Sequence, residues 1–299
     1  MYGELFNTHI DITLHLFDTL IKPILLYASD FWGGLKPPQD NPVEKFHNMA
    51  CRHILGVQTQ TTTAGVLLEL GRIPIQTFAI KGAVKNWERI RLGNANIYLQ
   101  KCLEDATREN LPWIENIKNI LEKNGMACFF QNTFQVKHPF VYKKLFEKLT
   151  DIFHQETFST IADPKSKLRT YALLKKERGL EKYILQIPNF TIRRTLSKFR
   201  LSNHVLNIET GRHRGESEDQ RFCPFCPGAI ETEIHFLVQC EAYQTQRQQL
   251  LSIVTPAYSF YTPLEKFQYL LSEGVVIHTA KFVHTSFDAR KTRLENGEN

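Results

Sequence analysis

The sequence predicts a mainly α-helical protein with a small metal-binding module near its carboxyl end. Apolar residues recur at helical intervals along most of the 299 residues, and strand signals are scarce. Three cysteines and one histidine gather between positions 223 and 240. The apolar share of 42% is ordinary for a globular chain, and no stretch of about 18 residues lacks charge or strong polarity, so we expect no membrane span.

The pattern predicts a first helix from Ile10 to Trp32. Its apolar positions recur at helical spacing, and they are Ile12, Leu16, Leu20 and Ile24. A Gly-Gly pair at 33–34 and a Pro-Pro pair at 37–38 end this helix. We expect Trp32 to anchor the core of the bundle that the helix begins.

Further helices are predicted along the rest of the chain. They cover residues 43–55, a segment capped by Thr61–Thr63 that runs to Leu70, and residues 74–92. The region 99–186 contains several helical stretches with weak boundaries, and Asn189 is expected to cap a short basic helix through Phe199.

The strongest functional signal is the spacing C-x2-C-x8-H-x4-C, formed by Cys223, Cys226, His235 and Cys240. Three thiolates and an imidazole are the ligands of a closed tetrahedral zinc site, which leaves no position for a substrate. Prolines and a glycine around the first pair supply turn chemistry. The pattern therefore predicts a structural zinc ion.

His235 and Cys240 lie five residues apart, about 140° around an ideal helix, so they cannot share one α-helical face. We therefore expect a helix over Glu241–Leu251 and place His235 in a strand or irregular turn before it. The alternatives are a disulfide or unrelated buried thiols. A disulfide needs an oxidising compartment, and the amino terminus has no secretory signal pattern, so an intracellular, cytoplasmic or nuclear, location is expected.

The other cysteines, at positions 51, 102 and 128, form no disulfide framework. Cys51 is expected on an apolar helix face, because buried thiols behave as small hydrophobes. A second metal site built from His47, Cys51 and His53 is the weaker interpretation.

Positive charge is concentrated in one segment. Residues 165–221 contain fourteen Lys and Arg against six Asp and Glu, which gives +8 in a chain whose total is +6. Aromatic residues are interleaved there, namely Tyr171, Tyr183, Phe190, Phe199 and Phe222. Cations for phosphates and flat rings for unstacked bases suit a nucleic-acid groove. For any single residue the alternative is a solvated helix face with the aromatic rings in the core.

Two sets of segments carry a family resemblance. The first third of the chain contains LFDTLIKPILLYASDFWG, VEKFHNMACRHILGV and LELGRIPI, and the carboxyl-terminal part contains RTLSKFRLSNHVLNIETGRHR, RFCPFC, EIHFLVQCEAYQTQR and LEKFQYLLSEGVVIHTAKFVHTSFDARK. The first set resembles the region just after the polymerase palm in LINE-type, non-long-terminal-repeat retrotransposon reverse transcriptases of the Jockey or chicken-repeat kind, and the second set resembles the carboxyl end of the same polyproteins. The match is collinear, specific at both ends, and unspecific over about 99–186.

The resemblance implies a mainly α fold with a helical thumb-like bundle, a helical linker and a small zinc knuckle. Its parts are a thumb-like domain at 1–98, a linker at 99–186, a basic segment at 187–221, a CCHC-type zinc knuckle at 222–251, and carboxyl-terminal helices and a tail at 252–299. The knuckle ligands fall on the four residues named above. The basic residues are Arg193, Arg194, Lys198, Arg200, Arg212, Arg214 and Arg221.

The resemblance also implies RNA and DNA as partners, because these carboxyl regions are thought to bind the element's RNA and its target DNA. A polymerase of this kind needs paired carboxylates for two magnesium ions, and no Asp-Asp pair occurs here. Asp288 with Lys291 is too little for a nuclease. We therefore expect a nucleic-acid-binding remnant without catalysis.

Two alternatives remain open. The first is an inert or domesticated helical protein with a structural zinc ion and protein partners. The second is an active reverse transcriptase, if this chain is a fragment of a longer product. Without a palm, the thumb-like part would leave its palm-facing apolar surface exposed, and an exposed patch invites aggregation or a partner.

Overall fold

A computed structural model describes residues 9–35, 41–93, 95–131, 140–163 and 165–297. Of these residues 69% are helical, and none lies in a β-strand. This confirms the predicted mainly α fold. The α-helices are α1 Ile10–Leu16, α2 Lys22–Leu25, α3 Ser29–Trp32, α4 Pro42–Leu55, α5 Thr63–Glu69, α6 Ile75–Arg91, α7 Ile97–Arg108, α8 Pro112–Lys123, α9 Ala127–Phe130, α10 Val141–Ala162, α11 Arg169–Leu174, α12 Tyr183–Gln186, α13 Phe190–Arg200, α14 Asn207–His213, α15 Gln244–Leu251, α16 Pro263–Leu270 and α17 Val276–Glu295.

Shorter elements connect these helices. Two are π-helices and three are 3-10 helices: Phe17–Ile21 and His235–Gln239, then Glu218–Gln220, Glu241–Tyr243 and Pro256–Phe260. Isolated antiparallel bridges pair Leu70 with Leu180 and Phe222 with Ile230. Within the described residues, no helix has both the length and the apolar character needed to cross a membrane.

The single helix predicted from Ile10 to Trp32 is wrong. The chain widens into a π-turn over Phe17–Ile21, which ends two residues before Pro23, and Pro23 has no N–H to continue an α-helical ladder. Ala28 then takes a left-handed conformation at φ 55° and separates α2 from α3. Trp32 is half-buried and not a core anchor, and its indole N–H donates to the Tyr27 carbonyl at 2.8 Å. The Pro-Pro pair at 37–38 lies outside the described residues.

The next predicted helices correspond to α4, α5 and α6, with ends that differ by one or two residues. Thr62 occupies the N-cap of α5, although its side chain makes no capping hydrogen bond. Gly71 follows α5 at φ 61°, and a Cβ there would lie 2.3 Å from the Leu180 amide nitrogen. This close approach requires glycine. The cap at Asn189 is confirmed, because its side chain accepts from the Ile192 amide at 3.0 Å.

The chain forms two compact units, and they do not follow the predicted domain boundaries. We call residues 15–50 and 73–157 the bundle unit. Residues 51–72 and 158–297, together with 9–14, form the metal unit, since they include the cysteine cluster. The segment 51–72, predicted as part of the thumb-like domain, therefore lies in the same compact unit as the knuckle.

The bundle unit has an apolar core. Its buried members are Val84, Trp87, Ile114, Ile117, Leu121, Met126, Val141 and Leu145. Trp87 stacks on Phe130 with ring centroids 5.8 Å apart. The tryptophan that anchors this core is thus Trp87.

The metal unit places buried charges inside its core. Arg200 is 3% exposed and contacts Glu69 at 2.7 Å and Glu181 at 2.6 Å. Tyr183 donates to Glu69 at 2.6 Å, so the completely buried Glu69 has both an arginine and a tyrosine as partners, whereas Glu181 is partly exposed. Cys51, also in this unit, is completely buried, as predicted.

Candidate metal centre and adjoining basic cleft

A tight turn brings Cys223 and Cys226 to the same side of the chain. The Cys223 amide donates to the Ala229 carbonyl at 2.7 Å, and the Ala229 amide donates to the Cys226 carbonyl at 3.2 Å. Gly228, which lies between Cys226 and Ala229, has φ 76°, a conformation that suits glycine. This is the turn chemistry that the sequence predicted.

A π-helix brings His235 and Cys240 together. The Cys240 amide donates to the His235 carbonyl at 2.8 Å, a bond that spans five residues. An α-helix cannot place residues five apart on one face, but this wider turn does. The prediction of a strand or irregular turn at His235 is therefore wrong, and the predicted helix after Cys240 is present as the 3-10 turn Glu241–Tyr243 and α15.

The four candidate ligand atoms lie within 4.8 Å of one another. The Cys240 Sγ is 3.8 Å from the Cys223 Sγ and 3.6 Å from the Cys226 Sγ. A tetrahedral ion with metal–sulfur bonds of about 2.3 Å spaces its sulfurs by about 3.8 Å, whereas a disulfide requires about 2.05 Å. The His235 Nε2 is buried without a protein hydrogen-bond partner, which leaves it for a metal. The geometry fits a Cys3His metal site.

The contact between Cys223 and Cys240 shifts the pKa values of the two thiols in opposite directions. The contact with Cys240 lowers the pKa of Cys223 to about 4, and the same contact raises the pKa of Cys240. A metal ion replaces the protons that such thiols would otherwise hold. Arg247 is buried and donates to the Cys240 carbonyl at 2.9 Å and the Leu237 carbonyl at 3.0 Å. These hydrogen bonds stabilise the π-turn that carries the second ligand pair.

Two of the predicted nucleic-acid-binding residues are buried. Arg200 belongs to the network with Glu69 and Glu181. Arg193 is 3% exposed and donates to the Ile187 carbonyl at 2.7 Å. Their guanidinium groups have internal partners, so neither is offered to a phosphate in this structure.

Two other predicted residues, Arg194 and Lys198, line a cleft of about 1040 Å³ within the metal unit. Arg194 is exposed, with its Nε donating to the Gly56 carbonyl at 2.8 Å. Burial and the nearby Arg194 lower the pKa of Lys198. A phosphate between these two cations would relieve their repulsion.

α17 supplies a further part of the cleft lining. The charged lining residues are Lys167, Arg194, Lys198, Glu209, Asp288, Arg290, Lys291 and Glu295, and the lining also includes His204, His213 and His284. Phe287, Val205 and Leu294 supply apolar lining. Lys291 is exposed and only loosely paired with Glu295 at 3.9 Å. Lys291 was not predicted to bind nucleic acid, because it lies about ninety residues after Lys198 and outside the basic segment.

The remaining predicted residues, Arg212, Arg214 and Arg221, do not line this cleft. Arg214 is exposed and pairs with Glu216 at 2.6 Å. Arg221 donates to the carbonyls of Glu216 and Ile208 at 2.8 Å each. Arg212 lies 3.8 Å from Glu209.

Two buried carboxylates were missed by sequence reasoning. Glu231 pairs with Arg290 at 2.8 Å, and Glu233 lies 3.1 Å from the His204 Nε2. Although burial raises the pKa of Glu233, the hydrogen bond with His204 and the charge of Arg169 lower it to about 2. The signal that could have found them is the motif Glu231-Thr-Glu233, two acids between the metal-ligand pairs just before an apolar run.

No protein-family model, no curated protein and no solved structure matches this chain. These comparisons therefore add nothing to the geometry of the Cys3His cluster and the cleft.

Proposed function

We propose that this chain binds RNA or DNA through the basic cleft, in a module held together by a zinc ion, and that it does so without catalysis. The observation that carries this proposal is the convergence of Lys167, Arg194, Lys198 and Lys291 on one cleft. These cations come from distant parts of the chain. Their excess over the acids of the cleft suits a polyanion.

Zinc is the ion that the donor set favours. Three thiolates and one imidazole in a tetrahedral arrangement are typical of structural zinc, and a buried, closed site keeps no coordination position for chemistry. The resemblance to the carboxyl region of LINE-type reverse transcriptases supports the same pairing of a knuckle with a nucleic acid. In this proposal the chain serves as a binding appendage of that kind.

The cleft offers more than charge to a strand. Thr191 and Asn203 line it and can donate to phosphate or sugar oxygens, and Phe287 adds an apolar surface to the lining. No base-reading pattern follows from such a lining. Binding is therefore expected to depend on salt far more than on sequence.

A second candidate function, docking of a protein partner, is favoured by a separate observation. Leu20, Ile24, Tyr27 and Phe31 in the bundle unit are 57%, 71%, 82% and 66% exposed. Exposed apolar side chains so close in sequence are typical of a surface that a partner covers. This would serve either a domesticated helical protein or a thumb-like part that packs on a polymerase palm.

The test is a titration of fluorescein-labelled single-stranded RNA over a range of salt concentrations, followed by anisotropy. About four phosphate contacts predict a slope of log affinity against log salt near −3 for a single strand. Arg194→Ala with Lys198→Ala is expected to flatten this slope by about 1.4. The matched control is Arg214→Ala, which removes an exposed arginine outside the cleft and should leave the slope unchanged.

Undetectable binding at low salt, or binding without a salt slope, would contradict the proposal. Equal weakening by Arg214→Ala would move the interface away from the cleft. Elemental analysis of the purified protein tests the metal: one zinc per chain is expected, and none in Cys226→Ser.

A further inference from the structure

The segment Glu231–Glu233 belongs to the metal loop, which we define as residues 222–240. It lies between the ligand pair Cys223 and Cys226 and the ligand pair His235 and Cys240. Both of its carboxylates point inward, with Glu231 1% and Glu233 0% exposed. Their partners are residues that line the basic cleft or lie next to it.

Glu231 contacts the part of α17 that lines the cleft. Both of its oxygens accept from Arg290, at 3.0 Å from Nε and 2.8 Å from Nη2. A bidentate pair of this kind fixes direction as well as distance. Glu231 also accepts from the Asn207 amide at 2.6 Å, which joins the loop to the start of α14. Arg290 lines the cleft one residue before Lys291.

Glu233 contacts a second part of the cleft lining. It contacts the His204 Nε2 at 3.1 Å and the Ser202 Oγ at 3.4 Å, and both residues line the cleft. It also accepts from Arg169 at 3.4 Å. Phe236, next to the ligand His235, packs on Phe287 of the cleft wall with ring centroids 4.9 Å apart.

We propose that Glu231 and Glu233 are positioning residues through which metal occupancy sets the nucleic-acid affinity of the cleft. The metal fixes the loop, the loop carboxylates fix Arg290 and His204, and the cleft walls are thereby preorganised. Without the metal the loop lacks its cross-link, and buried carboxylates that lose their geometry return to water with their partners. This inference rests on the proposed function.

A consequence of such coupling is reciprocity. If the metal raises the affinity for RNA by some factor, RNA must raise the affinity for the metal by the same factor. Coupling factors between linked sites are typically about 5 to 150. A wholly structural metal that leaves the cleft unaffected gives a factor of one.

The experiment uses the full chain loaded with Co²⁺, whose visible spectrum reports the Cys3His coordination. Glu231→Gln removes the charge that holds Arg290 and keeps the side-chain size. We expect an unchanged cobalt spectrum and about tenfold weaker binding of labelled oligouridylate. Glu231→Asp, which keeps the charge, should recover part of that loss. Glu241→Gln is the matched control, since Glu241 is an exposed acid next to Cys240.

The outcomes separate the two ideas. If Glu231→Gln keeps its cobalt spectrum and binds oligouridylate like the unmodified chain, the coupling is overturned and the proposed function stands. The coupling is also overturned if metal-free protein binds as tightly as loaded protein. If no form of the protein binds oligouridylate, the proposed function fails and the coupling fails with it.

A second measurement covers the case in which Glu231→Gln cannot hold the metal. The unmodified protein is titrated with a competing chelator, with and without saturating oligouridylate. Metal affinity about tenfold higher in the presence of RNA supports the coupling. Equal metal affinity in the two titrations overturns it.

Discussion

The bundle unit and the metal unit use buried carboxylates in different ways. In the bundle unit Glu88 accepts from the Val141 amide at 3.1 Å, and Glu44 accepts from the Gln76 amide at 2.9 Å, so each serves the start of a helix. In the metal unit Glu69, Glu231 and Glu233 pair with arginine or histidine side chains, and Glu231 in addition accepts from the amide at the start of α14. Both units have buried apolar residues, but the carboxylates of the bundle unit serve helix starts, whereas those of the metal unit add directed pairs with cationic side chains.

The difference bears on what each unit is built to do. Apolar packing tolerates exchange of similar volumes, because its attraction has no direction. Bidentate charge pairs and metal ligands fix angles, and they place a binding surface more strictly than apolar contacts do. The cleft lies in the unit with the directed contacts, and that agrees with its proposed role.

Loss of the metal is the largest predicted effect and would sharpen this comparison. Structural zinc contributes about 10–16 kcal/mol in small zinc-dependent modules, so Cys226→Ser should remove hydrogen-exchange protection from about 222–251. The bundle unit, at 73–157, should keep its protection. Cys102→Ser, at an exposed cysteine in that unit, is the control. Equal loss of protection in both units would break the comparison.

Arg200→Ala should have the next largest effect. It leaves the buried carboxylate of Glu69 without its cation, whereas Glu181 keeps Lys175 at 2.7 Å, and removing one partner of a buried pair costs about 3–5 kcal/mol. Chemical denaturation monitored by far-ultraviolet circular dichroism measures this. Arg214→Ala breaks an exposed pair and should change stability little. If the two variants are equally stable, the buried network does not stabilise the metal unit.

Trp87→Ala tests the bundle unit and should cost about 3–5 kcal/mol, because it leaves a large cavity in an apolar core. Trp32→Ala, at a half-buried tryptophan in the same unit, should cost less. The measurement is the denaturation midpoint of each variant. A larger effect at Trp32 would mean that the core of this unit lies elsewhere.

Arg194→Ala with Lys198→Ala should have the smallest effect on stability, about 1 kcal/mol, which corresponds to the hydrogen bond lost to Gly56. The same variant is the one expected to weaken RNA binding most. Thermal denaturation and RNA titration on one preparation give both values. A large loss of stability would show that accessible and buried cations of the metal unit are not separable.

The metal cluster was predictable from sequence because its ligands lie within eighteen residues and their chemistry is specific. Most helix positions were also predictable, since caps, prolines and apolar periodicity are local. The π-turn at His235 was not, because a periodicity argument assumes 3.6 residues per turn. The ligand spacing itself held the clue, as residues five apart had to meet at one ion.

The roles of the basic residues could not be predicted from a charge count. Arg200 and Arg194 look equivalent in the sequence, yet the partner of Arg200 is Glu69, which lies 131 residues away. The cleft raises the same difficulty, since Lys167 and Lys291 meet only through folding. Composition showed that charge is concentrated in this part of the chain, but only tertiary contacts separate buried cations from accessible ones.

The π-turn at His235–Gln239 also makes the metal site sensitive to the number of residues between His235 and Cys240. Within an ordinary α-turn the two ligands would share a face at a separation of four residues, as in H-x3-C. With one residue fewer between His235 and Cys240, an ordinary α-turn would still place both ligands on one face. With one residue more, neither an α-turn nor this π-turn would do so. Among related sequences, a single deletion in this interval is expected to be tolerated, whereas a single insertion should coincide with loss of the cysteines.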